Sequence, residues 1–206
     1  AFFLESTINL SGGEALVKMG VEGLRWQQQV MGVKPRFCWA IDVCGTHEQM
    51  PQICAGLGLE GLIYTRCNPS GKTIFWSEAP DGSKVLTIVP VNGYADFGHV
   101  FHAAETLTSE QLGSLEQNLS GKAVITPSGA PLLVLGGYGD YSLAPVNSKN
   151  PTEFLNQWKV YNPDSQVQFS TFSKYFDALK NIVKSGKSEL QVVRGGTAYT
   201  FDSFWI

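Results

Sequence analysis

The sequence predicts an α/β protein of the (β/α)7-barrel type, with the barrel incomplete in this chain. Three observations carry that expectation. Short apolar runs alternate with helix-periodic segments from end to end, the rhythm of a parallel α/β protein. About six of those runs qualify as core strands. The 22 glycines gather after strand ends, where a barrel needs elaborate loops. An open doubly wound sheet is the alternative reading of the same pattern. With 206 residues, 43% of them hydrophobic and 16% charged, the chain has enough apolar surface for one core. Residues 1–206 therefore read as part of a single domain.

The elements follow in order. Ser11 is a candidate cap for a helix to about Val30, with Leu16, Val17, Gly20, Leu24 and Val30 on its inner face. Gly32 and Pro35 end it. The strand RFCWAID comes next, then a helix from about Gln49 to Gly56, then the strand GLIYTR, which closes on Arg66. TIFWSEAPDGSKVLTIVP reads as two strands about a turn at Pro80-Asp81-Gly82-Ser83. Residues 91 to 106 show no period and look like a long functional loop. A polar helix from about Ser109 to Asn118 leads to the strand PLLVLGGYGD. Asn150-Pro151 caps a helix to about Val160. SQVQFS is a strand, Phe172 to Val183 a helix, and ELQVV the last clear strand.

Composition excludes several function classes. A formal net charge of -3 argues against a nucleic-acid partner, whose footprint is a basic excess. No apolar stretch approaches the roughly 18 residues of a membrane helix, so the expectation is a soluble chain without a membrane partner. AFFLESTINL has neither the basic start nor the apolar region of a signal peptide, and no initiating Met, so the chain reads as a piece of a longer one. The cysteines at 38, 44, 54 and 67 fit no zinc-finger spacing and read as reduced, structural thiols. Asn9 and Asn118 begin glycosylation triplets, which leaves the compartment open.

Three polar residues sit directly after apolar runs: Asp42, Arg66 and Asp140. The C-terminal edge of parallel strands is where function lives in barrels. Each of the three also fits a helix cap or a surface pair. Two carboxylates facing one pocket are what a glycosidase uses, one as nucleophile and one as acid/base. An arginine beside the nucleophile would hold it ionised.

The segment WAIDVCGTHEQMPQICAGLGLEGLIYTR resembles the nucleophile region of glycoside hydrolase family 38, the retaining α-mannosidases. IFWSEAPDGSKVL, LLVLGGYGDY and QVQFSTFSKYFDAL are similar to later segments of that family, in the same order, over about residues 10 to 195. The resemblance implies a (β/α)7 barrel and a zinc-dependent glycoside hydrolase acting on terminal α-mannosides. By it, Asp42 is nucleophile and zinc ligand, Asp140 is the acid/base, and Arg66 lies beside the nucleophile. Tyr94 falls where the family places a tyrosine near the sugar, and Trp39 is a further candidate for sugar contact.

The family's His-x-Asp pair, which supplies two zinc ligands, has no counterpart among His47, His99 and His102. Zinc would then need ligands from the remainder of the full-length chain. In AYTFDSFWI, Asp202 aligns with the family's last ligand, and an oxygen donor suits zinc. The family's F-G-H stands here as Cys44-Gly45-Thr46. These departures keep a second reading open, a degenerate carbohydrate-binding barrel without catalysis. A site built from Cys44 and His47, or from His99 and His102, is weaker than core packing and loop placement. A polysaccharide deacetylase would need a His-x-x-x-His pattern, which the chain lacks.

Overall fold

A computed structural model describes residues 1–4, 8–43, 45–90, 106–135, 152–186 and 188–198. They fall into two compact units, Ala1–Pro90 with Leu190–Ile206, and Val91–Glu189.

The first unit opens with α1, Gly13–Met31. Its N-cap is Gly12 with no side-chain hydrogen bond, so Ser11 does not cap it as expected. Gly32 ends it at φ +67, the left-handed turn that glycine adopts without a Cβ penalty. Leu16 and Gly20 are buried and Leu24 packs against the core, as expected, and Gly23 is buried too, while Val17 and Val30 are exposed, against the expectation. Both glycines are sites of close approach. A Cβ at Gly20 would stand 2.3 Å from Leu57, and one at Gly23 would stand 2.1 Å from the carbonyl of Ala1. The helix therefore turns bare backbone at these two positions, beside Leu16, Met19 and Leu24, toward its neighbours.

The sheet follows in the order β1-β3-β5-β4-β6. β1 (Phe37–Trp39), β3 (Gly61–Ile63) and β5 (Lys84–Ile88) run parallel, with Cys38 opposite Leu62 and Leu62 opposite Thr87. β4 (Ile74–Glu78) is antiparallel to β5, because the five residues between them permit only a hairpin return. Gly82 at φ +85 and the Asp81 carboxylate, which accepts from the Ser83 amide, form that turn as expected. β6 (Val192–Arg194) adds in parallel beside β4. A second, two-stranded antiparallel sheet joins β2 (Gly45–Thr46) to β7 (Thr197–Ala198). The result is a mixed, parallel-rich α/β arrangement, and no closed barrel is seen among the described residues.

The core of this unit gathers Leu16, Met50, Cys54, Leu62, Tyr64 and Phe75 around β1 and β3. Met50 and Cys54 come from α2, Met50–Gly56. Cys38 and Cys54 are buried free thiols, as expected for structural cysteines. A hydrogen bond with Cys38 and burial both push the Cys54 thiol up, which keeps it neutral and unreactive.

Among the described residues the second unit holds three helices: α3 (Ser109–Ile125), α4 (Thr152–Tyr161) and α5 (Phe172–Lys184). A capping box between Thr108 and Gln111 starts α3, which runs seven residues beyond the expected end at Asn118. Leu112, Leu115, Phe154 and Trp158 pack α3 on α4. SQVQFS forms no strand: Val167 and Phe169 are exposed, and the segment has no ladder partner among the described residues. Residues 131–135 of PLLVLGGYGD likewise carry no strand, and the rest of that run lies outside the described residues.

Candidate active site

The site begins with the apolar character of β1. Buried Cys38 and Ala40 anchor the strand, and the Ala40 amide continues the ladder to the Ile63 carbonyl at 2.8 Å. The chain then bends at residues 41 and 42, which places Asp42 at the C-terminal edge of the parallel strands. That edge is where open and closed α/β sheets bind ligands.

β3 ends alongside. The Thr65 hydroxyl donates to the Ile41 carbonyl, and one residue later the Arg66 Nε donates to Asp42 Oδ1 at 2.5 Å. Arg66 Nη2 also reaches Oδ1. The pair is half-buried, with the Arg66 side chain 30% and the Asp42 side chain 33% exposed. A carboxylate so held is fixed in direction and still open to a ligand from solvent.

The turn beyond Asp42 is fixed from the other side. Val43 is buried, and Gly45 stands at φ +93, where L side chains rarely fit. A Cβ there would lie 2.1 Å from the Thr197 carbonyl and 2.4 Å from Asn9 Nδ2. The F-G-H to C-G-T departure therefore retains the one residue this geometry requires. Asn9 Nδ2 donates to the Thr197 carbonyl at 2.9 Å, which ties a third segment to the turn. Beneath it Tyr64 is buried, and burial first, then the neighbouring Cys67, push its phenol up; a hydrogen bond from Thr46 opposes them.

Asp42 and Arg66 are thus brought together as the sequence led us to expect. Trp39 lies three residues before Asp42 and projects from the face opposite Cys38 and Ala40, 44% exposed. Asp140, Tyr94 and Asp202 lie outside the described residues. His47 is used locally: its Nδ1 accepts from the Gln49 amide.

Sequence reasoning missed Tyr64, Thr46, Cys67, Asn9 and Thr197. Thr46 and Cys67 had a weak signal, since each lies next to a residue already singled out. Thr197 had none, because its partner is 151 residues away.

For a metal, Asp42 supplies a hard oxygen donor, yet no three His, Cys, Asp or Glu side chains gather among the described residues. Those residues alone do not make a zinc site.

Comparison with known proteins gives a consistent pattern. Residues 1–196 match the sequence model described as Glycosyl hydrolases family 38 N-terminal domain. An alpha-mannosidase of Saccharomyces cerevisiae is 30% identical over 122 residues, covering 54% of this chain and 11% of the yeast protein. Alpha-mannosidase 2 of Drosophila melanogaster is 22% identical over 236 aligned positions, covering 89% of this chain and 21% of the fly protein. The crystal structure of an alpha-mannosidase from Enterococcus faecalis V583 superposes with a TM-score of 0.70 at 17% identity, over 95% of this chain and 21% of that one. At that identity the superposition speaks for the fold. The chain spans between 11% and 21% of the length of these relatives.

Proposed function

This chain belongs to glycosyl hydrolase family 38, and from that membership we propose that it is part of the catalytic domain of a retaining α-mannosidase. The observation that carries the proposal is the Asp42–Arg66 pair at the C-terminal edge of β1 and β3, in the segment whose sequence resembles the family's nucleophile region. The family match runs through both compact units, which supports reading them as parts of one domain. The sheet is then a sector of the (β/α)7 barrel that the resemblance implies.

On this reading the Asp42 carboxylate attacks the anomeric carbon as the bond from that carbon to the leaving oxygen breaks. Asp140 delivers the proton that the leaving oxygen takes. Water then attacks the same carbon and gives its proton to Asp140, and the Asp42 carboxylate is released unchanged. Arg66 keeps Asp42 aimed through both half-reactions. Trp39 and Tyr94 are the proposed sugar contacts. When bound, zinc would orient sugar hydroxyls and spread charge. Asp42 is the ligand proposed from the described part of the chain, Asp202 a second, and the others would come from the remainder of the full-length protein.

The test is hydrolysis of an aryl α-mannoside by the full-length protein, beside Asp42→Ala and a chelator-treated sample. We expect turnover by the untreated protein and its loss in both controls. An intact, zinc-supplemented protein that cleaves none of several α-glycosides would replace this reading with a carbohydrate-binding role. Activity that survives Asp42→Ala would remove Asp42 from the chemistry.

A further inference from the structure

We propose that Thr197 is a positioning residue for Asp42, acting through the β2–β7 pairing; this rests on the reading of Asp42 as nucleophile. Thr197 touches neither Asp42 nor Arg66 in any observed contact. What it does is close a hydrogen-bonded brace behind both.

Thr197 Oγ1 has three partners. It accepts from the Thr46 amide at 3.0 Å, and it exchanges one hydrogen bond with Thr46 Oγ1 at 3.0 Å and one with Cys67 Sγ at 3.1 Å. A hydroxyl has one proton and two lone pairs, so three partners saturate it. Of the two contacts with Thr46 Oγ1 and Cys67 Sγ, one is therefore donated and the other accepted. Thr46 also hydrogen-bonds Tyr64. A single hydroxyl thus links the turn after β1, through Thr46, to the end of β3, through Tyr64 and Cys67. Those are the two segments that carry Asp42 and Arg66, four residues before Thr46 and one before Cys67.

The backbone of the same residue is engaged as well. Its carbonyl accepts from Asn9 and lies where a Cβ on residue 45 would stand. Directly opposed threonines in an antiparallel pair are a stabilising cross-strand combination, but Thr–Thr packing alone would not need the Cys67 contact. The brace therefore fixes the separation of the two strand ends, and with it the aim of the carboxylate. Displacement of a reacting group by about 1 Å costs on the order of 100-fold in rate.

The experiment compares Thr197→Val, Thr197→Ser and Thr46→Val in the full-length protein. Steady-state kinetics on an aryl α-mannoside are read together with hydrogen exchange of the 40–46 backbone. Thr197→Val keeps the shape and loses the hydroxyl. We expect kcat to fall roughly 10- to 100-fold with KM nearly unchanged, and exchange across 40–46 to quicken. Thr197→Ser restores both. Thr46→Val breaks the brace from its other side, and combined with Thr197→Val it adds little to either single loss. Wild-type kcat and wild-type exchange in Thr197→Val would overturn the proposal, while loss of turnover in Asp42→Ala would leave the functional reading standing. Should the wild-type protein cleave nothing, that reading fails by itself. Exchange at 40–46 then decides alone: unchanged exchange in Thr197→Val removes the brace, and faster exchange restored by Ser upholds it.

Discussion

β1 and β3 carry an arginine–carboxylate pair at each end, and the two pairs are alike in most respects. Before the strands Arg36 meets Glu60; after them Arg66 meets Asp42. Both pairs span 24 residues in sequence, so they report the same strand register. Exposure does not separate them either, at 31% and 33% for the first and 30% and 33% for the second. What differs is the surroundings. Glu60 takes the guanidinium on both oxygens, at 2.6 and 3.1 Å, and Arg36 also covers the ring of Phe37 at 5.1 Å. The Arg36 guanidinium thus serves a carboxylate and a ring at once. Asp42 receives both observed Arg66 contacts on Oδ1, and the backbone around it is held by Thr65, Thr46, Gly45 and Thr197. Both pairs join β1 to β3; the second also stands beside a turn that is tied to β7. Identical chemistry takes its role from which end of the sheet it occupies.

The sharpest way to break this comparison is to delete each acid in turn. Asp42→Ala should cost about 10^4-fold or more in kcat, the scale of removing a nucleophile. Glu60→Ala should leave kcat and KM within error and lower stability by up to about 1 kcal/mol, as a half-exposed pair does. Parallel kinetics and thermal melts read both. Equal loss of activity in the two variants would mean that the C-terminal pair only joins strands, as the first does.

A smaller effect is expected from the arginines. Arg66→Gln removes the charge beside the proposed nucleophile and should lower kcat/KM by about 10^2 to 10^3, the scale of losing one preorganised electrostatic contact. Arg36→Gln should not change it. A loss confined to KM would make Arg66 a substrate anchor and take away its part in the chemistry.

Much of this asymmetry was legible in the sequence, and the reason is local. An acid after FCWAI and an arginine after GLIYT each stand out against the apolar run before them, and parallel register brings the two together. The APDGS hairpin and the Gly32 stop are equally local, because turn residues declare their own backbone. The brace was not legible. Thr197 sits in a polar, glycine-flanked stretch, and its partners at 9, 46 and 67 are fixed only once the chain has folded. In α1 the reading held for Leu16, Gly20 and Leu24 and missed for Val17 and Val30, while Gly23, buried against Ala1, carried no apolar signal to find it by. In SQVQFS the alternation is genuine, but a strand also needs a neighbour, and alternation does not supply one.

Gly45 tests whether the C-terminal pair is held by its surroundings. Gly45→Ala puts a methyl 2.1 Å from the Thr197 carbonyl at φ +93, so β2 and β7 must separate or the turn must change shape. Destabilisation of about 1–3 kcal/mol is expected from the strained backbone, together with a drop in kcat. Gly82→Ala makes a useful control. It carries a similar positive φ of +85 in the β4–β5 turn, but no atom lies within 4 Å of its added Cβ. It should cost less stability and no activity. If both variants lose only stability, the turn after Asp42 is ordinary structure.

The smallest effect concerns a third pair in the same sheet, Glu78 with Arg194, which lie opposite each other where β4 and β6 end. Arg194 meets both Glu78 oxygens, at 2.8 and 3.1 Å, and Lys84 adds a contact at 3.1 Å. Arg194 first, then Lys84, hold the Glu78 carboxyl below its ordinary value of 4.5. A carboxyl lowered in the folded state binds its proton more readily when unfolded. Its stabilising contribution is therefore complete above that ordinary value and fades as pH falls through the lower, folded one. The melting temperatures of wild type and Glu78→Gln should differ at pH 7 and converge in the acid range, with the gap narrowed by salt because Arg194 is exposed. Activity should follow neither trend. If kcat on the aryl mannoside changed with Glu78→Gln at pH 7, influence on the site would extend across the sheet to β4 and β6, and the contrast between one sheet edge and the rest would lose its meaning.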